Sequence, residues 1–128
     1  MKTPADITPE MLEFLREYHL ASLTTLRPDG SPHVVPVGFS YDHEAQVVRI
    51  ITFPASMKYK NAQRGGRAVV SQVDGGRWLT LEGTVRAVSD SEQVGLAVAG
   101  YAARYRQPGE RDDRVAIEIA VDRIMGRA

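Results

Sequence analysis

The chain has 128 residues, 43% hydrophobic and 25% charged, with 16 Lys and Arg against 16 Asp and Glu and no cysteine. That length suits one domain, residues 1–128, with a real core. The absence of cysteine excludes a disulfide framework, an iron–sulfur cluster or a thiolate zinc site, and neutrality argues against a coat for nucleic acid.

Thr8 is the expected N-cap of a first helix, with Pro9 at its first position and Glu10 in its first turn. Met11, Leu12, Leu15 and Tyr18 fall at helical spacing, so residues 9–18 read as a short amphipathic helix. No signal-peptide run precedes it, and no stretch approaches the roughly 20 apolar residues that span a bilayer. A cytoplasmic location is expected, away from membranes. From Leu20 the period changes to two, giving a strand over 20–26 that stops at the turn Arg27-Pro28-Asp29-Gly30. Residues 33–41 read as a second strand, in which Pro36 and Gly38 imply a bulge or a close backbone approach.

A turn over 42–45 leads into a third strand, 47–53. Pro54-Ala55-Ser56 opens a short helix that ends before Gly65-Gly66. Residues 68–73 and 78–88 are the fourth and fifth strands, joined by the hairpin signal Asp74-Gly75-Gly76. Ser89 with Glu92 forms a capping box for a helix that keeps Val94, Val98, Tyr101 and Tyr105 on one stripe. After a polar loop, 108–113, Val115, Ile117, Ile119 and Val121 alternate with Ala116, Glu118 and Ala120 as a sixth strand. Six strands with hairpin-length turns pair mostly antiparallel, and closure into a small barrel buries their shared face and edges. The expected fold is a mainly β, six-stranded antiparallel barrel with peripheral helices.

Residues 45–73 hold Arg49, Lys58, Lys60, Arg64 and Arg67 and not one Asp or Glu, leaving eleven basic against sixteen acidic residues elsewhere. Such a concentration suits an anionic ligand. Thr52, Ser56, Lys58, Asn61 and Arg64 form the candidate group, because Ser56 opens a helix and Lys58, Asn61 and Arg64 follow at three-residue spacing on one face. An ordinary capped, solvated basic helix explains the same residues equally well.

The histidines, His19, His33 and His43, have no metal-ligand spacing, and no metal is expected. There is no nucleophile elbow. Glu82, the one carboxylate assigned to a core strand, either pairs with an arginine or faces water, with water preferred. Trp78 is either core or a ring beside a planar ligand. An anion site beside a barrel, with no catalytic side chain identified, suits a protein whose reactivity belongs to a bound cofactor.

Residues 20–26, then Arg27-Pro28-Asp29-Gly30-Ser31-Pro32-His33-Val34-Val35-Pro36-Val37-Gly38-Phe39, resemble the opening of the split-barrel flavin and deazaflavin oxidoreductases related to pyridoxamine 5′-phosphate oxidase. Ile51-Thr52, Ser56-Met57-Lys58, Asn61 and residues 71–83 continue the resemblance in order, nearest to the actinobacterial branch that uses coenzyme F420. It implies an F420-dependent oxidoreductase of the split β-barrel fold, a homodimer with cofactor sites at the interface, acting on a conjugated small-molecule acceptor such as biliverdin or a similar tetrapyrrole.

By the same resemblance, Pro36, Val37 and Gly38 line the ring, Thr52, Ser56, Lys58 and Asn61 hold the phosphate, and Ile51 and Met57 also belong to the cofactor site. Trp78 and Leu79 reach the ring from the partner; Arg64 joins the site on spacing alone. Met57 stands where the phosphate oxidases have Arg, which favours the deazaflavin over FMN. The stretch after the last strand lacks a basic segment for pyridoxal phosphate, so pyridoxamine-phosphate oxidation is not expected. FMN as the cofactor, or a non-enzymatic flavin, deazaflavin or haem binder, are the alternatives.

Overall fold

The computed structural model describes residues 2–128. Its elements run α1 (Pro9–Arg16), β1 (Ala21–Leu26), β2 (Pro32–Val37), β3 (Ser40–Asp42), β4 (Val47–Thr52), α2 (Met57–Gln63), β5 (Arg67–Asp74), β6 (Arg77–Val88), α3 (Ser91–Arg104) and β7 (Val115–Arg127). The strands form one antiparallel sheet in the order β2-β1-β5-β6-β7-β4-β3.

The expected second strand is therefore two, and the sheet has seven strands where six were expected. β2 pairs with β1 at one edge, and β3 pairs with β4 at the other. Only Gly38 and Phe39 lie between them. Each residue spans at most about 3.6 Å, so two residues hold the opposite edges of the sheet close together. The sheet must curl into a barrel with a seam at Gly38-Phe39. The Pro36 and Gly38 signal marked that seam.

The long β6–β7 pair carries a bulge at Glu82/Gly83, where Asp122 is the extra residue. Gly83 is obligatory there, because a Cβ would sit 1.8 Å from the Ala120 carbonyl oxygen. The barrel interior is filled by Leu23, Phe39, Val48, Ile50, Val70, Leu79, Leu81, Ile117 and Ile119. α1, capped by the Thr8 hydroxyl accepting from Met11 N–H, adds Met11, Phe14 and Leu15 to the same core. α3 lays Val94 and Ala97 over Ile51, Val88 and Ala116 on the outside of the sheet.

Three local expectations are corrected. The α3 N-cap is Asp90, whose carboxylate accepts from Gln93 N–H, in place of Ser89. Glu82 pairs with Arg67 at 2.7 Å and Arg123 at 3.5 Å, and does not simply face water. The buried strand carboxylate is Glu118, only 2% exposed, which receives Arg49 from β4 and Arg86 from β6. No helix is long and apolar enough to cross a membrane among the described residues.

Candidate active site: a basic cleft at the barrel seam

The seam opens into a cleft of about 340 Å³. One wall is Pro36, Val37 and Gly38 at the end of β2; a second is Ile50 to Thr52 of β4, continued by Phe53. Lys58 enters from α2 and Tyr101 from α3, and the α3–β7 loop contributes Arg106, Pro108, Gly109, Arg111 and Arg114. Among the described residues, four cations and no acidic residue line the cleft. An apolar wall facing a basic rim fits a planar ring that carries anionic groups.

The order of this site follows from local capping. Ser56 caps α2 by accepting from Tyr59 N–H at 3.3 Å, and its hydroxyl lies 2.8 Å from that of Thr52. The hydroxyl pair ties the end of β4 to the start of α2 and so fixes Lys58 in the first turn of the helix. Lys58 Nζ stands 6.0 Å from the centre of the Phe53 ring, and burial lowers its pKa from the ordinary value. Arg111 stacks on the same ring at 4.4 Å and pairs with Asp113 at 2.5 Å.

The α3–β7 loop leaves from a fixed point. The Arg104 guanidinium donates to the Glu17 and Phe39 carbonyls at 2.8 and 2.9 Å and to Gln72 Oε1 at 2.8 Å. Tyr105 donates to the His19 carbonyl at 2.6 Å and accepts from Phe39 N–H at 3.1 Å. Both side chains grip the seam directly. Gly38 is needed for this fit, since a Cβ would lie 2.9 Å from the Tyr101 ring and 3.0 Å from the Tyr105 ring.

Six of the twelve residues singled out from the sequence meet in the cleft: Pro36, Val37, Gly38, Ile51, Thr52 and Lys58. Ser56 stands behind them through Thr52. Asn61 turns away, 2% exposed, and its amide donates to the Thr25 hydroxyl at 3.0 Å. Arg64 is also outside, donating to the Leu26 carbonyl at 2.8 Å and to Asn61 Oδ1 at 2.5 Å. Met57 is exposed and does not line the cleft. Leu79 points into the barrel core, whereas Trp78 pairs in register with Val73 on the outer face.

The acid-free window divides in the same way. Arg49 is taken by Asp42 and Glu118, and Arg67 by Asp122 and Glu82. Only Lys58 of the five basic residues reaches the cleft. The fold supplies partner acids from strands distant in sequence.

Phe53, Tyr101, Arg106, Arg111 and Arg114 were not singled out for the site. The loop's charges are interleaved with Glu110, Asp112 and Asp113, so they cancel in any running count. The pairing of Thr52 with Val115 is what delivers the end of that loop to Thr52. Elsewhere, Glu17, His19 and Asp74 bring ligand-type atoms within 4.8 Å of one another. Arg77 occupies that cluster, bonded to Glu17 at 2.9 Å and Asp74 at 2.7 Å.

Comparison with known proteins agrees with this geometry. Residues 7–127 match the pyridoxamine 5′-phosphate oxidase family. The F420H(2)-dependent biliverdin reductase of Mycobacterium tuberculosis (strain CDC 1551 / Oshkosh) is 48% identical, over 100% of this chain and 93% of that protein. A structure described as an F420 reductase superposes with a TM-score of 0.72 at 27% identity, covering 92% of this chain and 98% of the other. The conserved hypothetical protein Rv2991 of Mycobacterium tuberculosis shares the fold, with a TM-score of 0.79 at 23% identity over 99% of this chain and 89% of that one. With the family match, the relative across the whole chain and the split seven-stranded barrel in agreement, this chain belongs to the pyridoxamine 5′-phosphate oxidase family.

Proposed function

We propose that this chain is a reductase that uses coenzyme F420 to reduce a conjugated acceptor, biliverdin or a similar tetrapyrrole. The observation that carries the reading is the 48% identity to an F420H(2)-dependent biliverdin reductase along the whole chain. The cleft supports it, having an apolar wall for a ring and four cations for anionic groups.

When bound, the reduced deazaflavin supplies a hydride. Pro36, Val37, Gly38 and Ile51 would line the ring and keep water from it, and Thr52 and Lys58 would hold the phosphate. The hydroxyl pair with Ser56 keeps Thr52 oriented. Lys58 is also the cleft cation best able to release a proton, since burial lowers its pKa and arginine does not deprotonate. Most of the rate enhancement in such a site comes from holding the reactants in one orientation.

The same reading makes the protein a homodimer. Leu20 just before β1, Val34 on β2 and Val73 on β5 form an apolar outer face and are 58%, 57% and 69% exposed. Pro36 belongs to both that face and the cleft, so a second copy seated there would border the site. Trp78, in register with Val73, stands on the face from which a partner's ring could be reached. The lack of cysteine suits a reducing cytoplasm.

Mixing purified protein with reduced F420 and biliverdin tests the function. Loss of biliverdin absorbance that requires both cofactor and protein is the expected result. No cofactor-dependent change with biliverdin or a related linear tetrapyrrole would refute it.

A further inference from the structure

The sequence contains thirteen arginines. Eleven of them make a side-chain hydrogen bond or ion pair: Arg16 with Glu13, for example, Arg86 with Glu118, and Arg127 with the Gly76 carbonyl. Arg106 and Arg114 make neither among the described residues, and both line the same cleft. The nearby Asp113 carboxylate is committed to Arg111, and Arg114 acts on it only at longer range.

The backbone that carries these two side chains is held in place. Arg106 follows the Arg104 and Tyr105 anchor at the seam, and Arg114 precedes Val115, which is buried and paired with Thr52. Arg111, stacked on Phe53, pins the loop between them. A short loop anchored at both ends and in its middle presents two guanidiniums that make no hydrogen bond or ion pair among the described residues, on a backbone with little ordering left to lose.

We propose that Arg106 and Arg114 form a carboxylate grip on the α3–β7 loop, distinct from the Thr52 and Lys58 side of the cleft. The grip rests on the proposed F420-dependent reduction and extends it by assigning a second anionic subsite. Guanidinium forks match carboxylates bidentately, so the ligand carries one or two carboxylates at this end. Two sources have that chemistry: the glutamyl tail of the cofactor and the propionates of a tetrapyrrole acceptor.

The test uses the Arg106→Gln/Arg114→Gln double variant of the full chain, with Arg16→Gln as a surface control. Dissociation constants are measured by fluorescence for F420, for a deazaflavin without phosphate or tail, for biliverdin, and for biliverdin dimethyl ester. A grip on the tail predicts a loss of about tenfold or more for F420 and none for the tail-less deazaflavin. A grip on the acceptor predicts that loss for biliverdin and none for its ester. The Arg106→Lys/Arg114→Lys variant should recover only part of the affinity, because lysine is a point charge without the fork. Wild-type affinity of the Gln double variant for both F420 and biliverdin overturns the proposal. Failure of the wild-type protein to bind F420 would refute the reductase reading instead, leaving the grip to be judged on biliverdin and its ester alone.

Discussion

The Asn61 amide donates to the Thr25 hydroxyl at 3.0 Å, with both residues sealed from solvent. That bond fastens α2 to β1 on the side away from the cleft, and Arg64 closes the group by donating to Asn61 Oδ1. Asn61→Ala leaves a buried hydroxyl unsatisfied, which costs about 1–3 kcal/mol of stability. Urea unfolding should show that loss, while F420 affinity of the folded protein stays within about twofold of wild type. A large loss of affinity at unchanged stability would return Asn61 to the phosphate site.

Lys58 should behave in the opposite way. It lines the cleft and has no acidic partner there. Lys58→Ala is expected to weaken F420 by about 1.5–3 kcal/mol, the range for a hydrogen bond to a charged group. Isothermal titration reads this directly, and Lys58→Arg should keep most of the binding. Affinity should also fall as pH rises through the lowered Lys58 pKa, because the uncharged amine no longer attracts an anion.

How much of this was legible depended on sequence distance. The β5–β6 hairpin, the α1 and α2 caps and the ends of β1 follow from residues a few positions apart, and they appear as expected. The barrel seam was visible only as a local oddity at Pro36 and Gly38. Its meaning, two strands at opposite sheet edges, depends on the distant pairing of β4 with β7, Val48 against Ile119. Half of the candidate site was legible because its residues lie on β2 and the β4–α2 junction. Arg106, Arg111 and Arg114 were hidden because Glu110, Asp112 and Asp113 balance them in sequence, and only the fold turns the arginines toward the cleft. Arg49 and Arg67 misled for the converse reason, as their partners Glu118 and Asp122 come from β7.

Acid stability has a clear sign at Glu17. Its hydrogen bonds with Arg77, and then with His19, hold the carboxyl down from the ordinary 4.5 to about 2. A depressed carboxylate contributes stability that is present above its unfolded pKa and lost as pH falls through the folded one. Between pH 4.5 and about 2, wild-type urea midpoints should drop more steeply than those of Glu17→Gln. Parallel curves would show that the Arg77 pairing contributes nothing to folding.

The proposed dimer places Val73, two-thirds exposed, in the interface. Val73→Asp puts a charge on that apolar face without touching the core. Light scattering should then report a monomer where the wild type is a dimer, with F420 binding weakened because the site lacks its neighbour. An unchanged dimer would move the interface to another face.

The most direct measurement of the central claim is a paired titration of the apo protein with F420 and FMN, followed by fluorescence. The account predicts saturable binding of F420, tighter than FMN, and reduced by Lys58→Ala. Tighter binding of FMN, or no F420 binding at any accessible concentration, would contradict it.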